Sequence, residues 1–172
     1  MKIDSDSQRA AILAHALPRR TQQPNRLDPF DCTLACRALK NCVRWKPVAR
    51  GTTAVQHVLV GKHGISILES QGTYATRLWH SSVVLSRWLA ANKPMFDGRT
   101  VLELGAGTGL CSLALAATTS ACVIASDSDE AGLALLQTSA DGQALKLGVR
   151  LFDICSDEPL PPCDCLVASD LL

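Results

Sequence analysis

A parallel β-sheet interleaved with helices, preceded by a β-hairpin and N-terminal helices, is the α/β architecture that this 172-residue sequence predicts. Three observations carry the prediction. From residue 99 onward, short apolar runs with strand character alternate with helical patterns. Ahead of them, two β-rich runs flank Gly61-Lys62-His63-Gly64, a hairpin signal. At the head of the alternating region stands one junction, where an apolar strand enters a glycine-rich turn and then a helix. Short apolar strands alternating with helices argue for a parallel sheet covered on both faces.

The elements follow in order. Ser7 to Leu17 has a short helical pattern ended by Pro18, and Arg19 to Pro29 reads as a linker. Leu34, Cys36, Leu39 and Cys42 share one side of a second helix over Asp31 to Val43. The hairpin strands are Val55–Val60 and Ile65–Glu69, and a helix follows from Ser81 to Ala91. Thr100–Leu104, Ala121–Ala125, Leu145–Phe152 and Cys165–Ala168 are the four strands of the alternating part. Helices over Gly109–Ala117 and Asp129–Ser139 separate the first three. This divides the chain into a helical extension (1–50), a hairpin and helix (51–98) and a half-domain of parallel sheet (99–172).

Composition narrows the function. With a net charge of +1 and few aromatic residues, the chain carries neither the basic surplus nor the stacking platform of a nucleic-acid binder. The longest apolar stretch, Leu110 to Ala125, is broken by Thr118, Thr119 and Ser120, so no membrane span is expected. The N-terminus lacks a signal-peptide core; Arg9, Arg19, Arg20 and Arg26 leave a mitochondrial reading open, and the cytoplasm is the expected compartment. Among the eight cysteines no pair shows the two-residue gap of a zinc knuckle. Buried thiols are the reading, with no metal and no disulfide.

The junction is Val101-Leu102-Glu103-Leu104-Gly105-Ala106-Gly107-Thr108-Gly109-Leu110. Gly105 permits the tight turn, Gly107 lets a ligand approach bare backbone, and Gly109 allows close helix–strand packing. A nicotinamide or flavin fingerprint would place its third glycine one residue later, and no Gly-Lys-Ser/Thr follows to make a phosphate loop. Glu103 sits badly beside a pyrophosphate and suits a cationic ligand such as a sulfonium amino acid. Asp127 ends the second strand 22 residues after Gly105. A carboxylate there can accept hydrogen bonds from both hydroxyls of an adenosine ribose, although Asp also caps helices, and Ser126, Ser128 or Asp129 could cap the one that follows.

Glu103 to Gly109 with Asp127 resembles the first motif and the ribose-binding acid of class I S-adenosylmethionine-dependent methyltransferases. The wider sequence is similar to methyltransferase family 16, the lysine methyltransferase-like proteins. The likeness covers about residues 53–172. It includes the hairpin, the stretch Gly72 to Leu89 with Trp79 before a helix start, and Cys163 to Leu172, which resembles a fourth strand and the opening of an Asp-x-x-Tyr motif. Two positions depart from the family: Ile154 replaces a tryptophan after Asp153, and Thr138 and Ser139 stand where an asparagine is usual.

The resemblance implies an incomplete Rossmann-like class I methyltransferase fold, S-adenosylmethionine as cofactor, and a protein lysine as acceptor. It implies that Trp79, Glu103, Gly105, Gly107, Gly109, Asp127 and Asp153 surround the cofactor, and that Asp170 orients the acceptor amine. Each has a plainer alternative: Trp79 as a core residue, Asp170 as a strand-end cap. Two other functions stay open, a small-molecule N-methyltransferase and a truncated, non-catalytic interaction protein. The family fold has seven strands, so the fourth is expected at a sheet edge with its apolar face uncovered. Oligomeric state is left open.

Overall fold

The computed structural model describes residues 43–44 and 46–171. The expected helix at residues 7–17, the linker at 19–29 and most of the helix at 31–43 lie outside the described residues. That second helix is corrected at its end. Val43–Arg44 is a strand, β1, paired antiparallel with Val58 and His57. The outer edge of the hairpin offers backbone donors and acceptors to this segment, and Val43 is β-branched.

Strands β2 (Thr53–Val60) and β3 (His63–Ser70) form the hairpin, in register from Thr53↔Ser70 to Val60↔His63. Its turn is the two residues Gly61-Lys62, tighter than the expected four. Gly61 supplies the positive φ, +59°, that two-residue hairpin turns demand. Alternation along both strands buries Val58, Val60, Ile65 and Ile67 against Val83, Leu110, Leu113 and Ala140. The buried amide of Gln56 has a partner at both of its polar atoms. It accepts the Lys46 N–H and donates to the Lys46 carbonyl and to Glu69.

Helix α1 (His80–Ala91) follows a short 3-10 turn at Tyr74–Thr76. Strand β4 (Thr100–Leu104), helix α2 (Leu110–Thr118), strand β5 (Cys122–Asp127), helix α3 (Glu130–Asp141) and strands β6 (Gly148–Leu151) and β7 (Cys165–Ala168) complete the chain. The parallel sheet has the order β6-β5-β4-β7, placing β4 and β5 at its centre. Strand β6 begins three residues later than expected. Residues 142–147 close α3 instead, with the Leu145 N–H bonded to the Ala140 carbonyl and Ala144 at φ +53°.

Period-two alternation divides the sheet residues between two faces. Val101, Val123 and Val167 pack with Leu89, Cys111 and Leu115 of α1 and α2, and Ala125 packs with Leu133 and Leu136 of α3. On the other face Leu102, Leu104, Ile124, Leu166 and Ala168 meet Phe152, Leu160 and Cys163. The expected cover on both faces is therefore helical on one face only among the described residues. The β6–β7 connection, with Pro159, Pro161 and Pro162, covers the second face without forming a helix. Strand β7 does stand at an edge, but its Val167 is buried rather than uncovered. No helix among the described residues is long and apolar enough to cross a membrane.

Candidate active site

At the C-terminal ends of β4, β5 and β7 lies a cleft of about 360 Å³. This is where open parallel sheets bind ligands, and the volume is within the range of small-molecule sites. The glycine loop forms its floor, Tyr74 to Ser82 one wall, and Ser169 to Leu171 another.

All three glycines have positive φ, +65° at Gly105, +52° at Gly107 and +80° at Gly109. One expected role changes and another gains a contact within the chain. A Cβ on Gly107 would come within 3.0 Å of the Ala75 carbonyl, so the chain's own backbone closes on this glycine from one side. A Cβ on Gly109 would lie 2.2 Å from Leu136 Cγ, so this glycine admits a helix–helix contact with α3 rather than a helix–strand one. Gly105 lies beneath Leu171, whose Cδ2 would be 2.3 Å from an added Cβ.

Asp127 is 9 % exposed and lines the cleft. Its Oδ2 accepts the Gly107 N–H at 2.7 Å and its Oδ1 the Asp129 N–H at 2.9 Å. One carboxylate thus locks the glycine loop to the end of β5. The helix cap is a different residue, Asp129, which accepts from the Gly132 N–H at 2.8 Å.

Glu103 borders the cleft but is nearly inaccessible, at 3 %. Its Oε2 accepts the Ser112 N–H at 2.8 Å and also the Ser112 hydroxyl. Ser112 is in the first turn of α2, so Glu103 caps that helix from the preceding strand, favourable for an anion at a helix N-terminus. Burial pushes its carboxyl up to about 7, against the pull of the two Ser112 donors, and the nearby Asp127 adds to the rise. Strand alternation is the signal for this placement: Glu103 shares the face of Val101, which packs on α2.

Trp79 is half-buried on the cleft wall and is the N-cap residue of α1. Its ring stacks on Tyr74 with centroids 4.2 Å apart, and its indole N–H donates to the Tyr74 carbonyl at 3.1 Å. Asp170 follows β7 and lines the cleft, at φ +52°, and its Oδ2 accepts the Ser81 hydroxyl. Asp153 is not brought to the cleft with the others. Its Oδ1 accepts the Cys155 N–H at 2.8 Å in a local turn, while its neighbours Phe152 and Ile154 line the cleft.

Several lining residues had no sequence signal of their own: Tyr74, Arg77, Ser81, Phe152 and Leu171. The cleft's charge is mainly negative. Asp127, Asp129 and Asp170 face one cation, Arg77, among its lining residues, and Glu103 adds to them as it ionises. Such a balance favours a ligand with positive charge.

A parallel sheet, a glycine loop and a strand-end acid around one cleft define a Rossmann-like α/β domain with a nucleotide-type site. A family model described as lysine methyltransferase matches residues 61–170, and the chain belongs to this family. It is 29 % identical over 107 residues to the protein-lysine methyltransferase METTL21E of Bos taurus, covering 61 % of this chain and 36 % of that protein. It is 44 % identical over 46 residues to the human protein-lysine N-methyltransferase EEF2KMT, covering 27 % and 14 % respectively. The chain therefore spans about a third or less of the length of these relatives. Among solved structures, the Thermus thermophilus 16S rRNA N2 G1207 methyltransferase RsmC, in complex with AdoMet and guanosine, superposes with a TM-score of 0.60. That match has 23 % identity and covers 73 % of this chain and 35 % of that one, a shared fold. The incomplete class I methyltransferase fold is thus the architecture of this chain.

Proposed function

We propose that the protein is an S-adenosylmethionine-dependent methyltransferase whose acceptor is the amine of a protein lysine. The observation that carries this reading is the geometry of Asp127. A carboxylate offers about four lone-pair sites. Gly107 and Asp129 take one on each oxygen. One remains on each, a pair suited to the two adjacent hydroxyls of a ribose. The acidic lining suits the sulfonium and ammonium of the cofactor, and the family membership supports lysine as acceptor.

The cofactor would be held by Asp127, by the backbone of Gly105 to Gly107 and by the apolar pair Phe152 and Ile154. It supplies an electrophilic methyl group on sulfur. The protein's task is to present a neutral amine in line with it, because displacement depends on alignment of the reacting atoms. Trp79 forms the wall beside that path. Asp170 accepts a hydrogen bond from the amine and aims its lone pair. Asp153, which does not line the cleft, is given no contact with the cofactor in this reading.

Calorimetric titration tests the binding half of this reading. Asp127→Ala removes a charged acceptor from two hydroxyls, and hydrogen bonds to charged groups contribute roughly 1.5–3 kcal/mol each. Affinity for S-adenosylmethionine should fall at least about tenfold. Gly107→Val should lower it further, since its branched side chain would meet Ala75 and distort the loop. Unchanged affinity in both variants would reduce the glycine loop to a turn and remove the proposal. For the acceptor half, mass spectrometry after knockout should reveal a lost lysine methylation.

A further inference from the structure

We propose that Ser81 is the positioning residue for Asp170, fixing the carboxylate that orients the acceptor amine; the inference rests on the reading of the cleft just given. The two residues are 89 apart in sequence and both line the cleft, joined by the Ser81 hydroxyl donating to Asp170 Oδ2.

The backbone of Asp170 gives this bond its importance. Only two non-glycine residues among those described have positive φ, Ala144 and Asp170. Ala144 belongs to the turn that closes α3. Asp170 stands where β7 has ended, and a left-handed conformation there is costly unless surrounding contacts over-determine it. The hydroxyl of Ser81 is such a contact. With Oδ2 held, rotation of the carboxylate is restrained and Oδ1 is left in a fixed direction for an amine.

A local role for Ser81 fits less well. A serine at a helix start commonly bonds its own backbone. Ser82 does so, donating to the Trp79 carbonyl at 2.7 Å, whereas Ser81 reaches away from the helix. The N-cap of α1 is Trp79, so Ser81 is not the cap. Alanine at this second helical position satisfies helix propensity at least as well as serine. What Ser81→Ala removes is therefore the link between the helix that follows Trp79 and the strand that precedes Asp170.

The test uses the full-length protein, a panel of lysine peptides and a labelled methyl donor, with kinetics on the best peptide. Ser81→Ala should lower kcat about tenfold, the scale of a lost hydrogen bond to a charged group. The dissociation constant for S-adenosylmethionine should stay at the parent value, and the melting temperature should fall by no more than a few degrees. Ser81→Thr, which keeps the hydroxyl, should recover most of kcat. A Ser81→Ala enzyme as fast as the parent overturns the proposal alone, as does a Ser81→Thr enzyme as slow as Ser81→Ala. A parent that binds the cofactor yet methylates no lysine peptide overturns the acceptor reading and this inference with it. A parent that fails to bind the cofactor overturns the reading of the whole cleft.

Discussion

Replacing Glu103 by glutamine should change how the stability of the fold depends on pH. Burial raises this carboxyl from its ordinary 4.5 to about 7. Between those values the folded chain holds a proton that the unfolded chain has released, so stability falls as pH rises through the window. Below about 4.5 both states are protonated and the penalty vanishes; above about 7 it is complete. Each pH unit across the window costs about 1.4 kcal/mol, and the whole is on the order of 3 kcal/mol. Glutamine keeps an oxygen for the Ser112 N–H and hydroxyl and removes the titration. From pH 4.5 to pH 8 the free-energy gap between variant and parent should therefore move by about 3 kcal/mol in the variant's favour. Urea unfolding at pH 4.5, 6 and 8, followed by circular dichroism, measures the gap directly. A gap constant across that range to within about 1 kcal/mol would refute the assignment of Glu103 as a buried, titrating cap.

Two further substitutions probe the backbone around the cleft. Gly109→Ala meets both a left-handed φ and the fully buried Leu136. The conformational and packing costs together predict a loss of about 2–5 kcal/mol in urea unfolding, and a loss below about 1 kcal/mol would contradict the contact. Ala144→Gly should act oppositely. Ala144 is exposed at φ +53°, so glycine relieves its strain and should raise stability by about 0.5–1 kcal/mol, read as a higher unfolding midpoint.

Local pattern made much of this fold legible in the sequence. The hairpin, the strand–glycine–helix junction and the four parallel strands depend on periodicity and turn residues that neighbours in sequence reveal. What stayed hidden depends on partners far along the chain. Val43–Arg44 becomes a strand because β2 has an edge to share. Strand β6 loses its first residues to a turn whose left-handed position is alanine, which carries none of the usual glycine or asparagine marks. In the site, Asp127 was readable because its distance from the glycine loop is set by one helix and one strand. Glu103 was read as facing a ligand; it does border the cleft, and strand alternation adds its second partner, the start of α2. Ser81 lay in the family-like stretch only as a helix start, with nothing local to tie it to Asp170, and Asp153 was assigned by likeness to a family in which a tryptophan follows it.

One feature of the hairpin bears on how this domain meets others. The free edge of β3 is occupied by side chains of the segment around α3: Gln143 takes both the N–H and the carbonyl of Ser66, and Ser139 takes the Leu68 N–H. Those groups would otherwise template another strand. A second chain extending the hairpin there would first have to displace an amide and a hydroxyl that already meet the backbone's needs. The edge is thus guarded against β-addition by polar side chains rather than by charge or proline. Crowding at high protein concentration therefore finds no ready seam for strand-to-strand stacking along these residues.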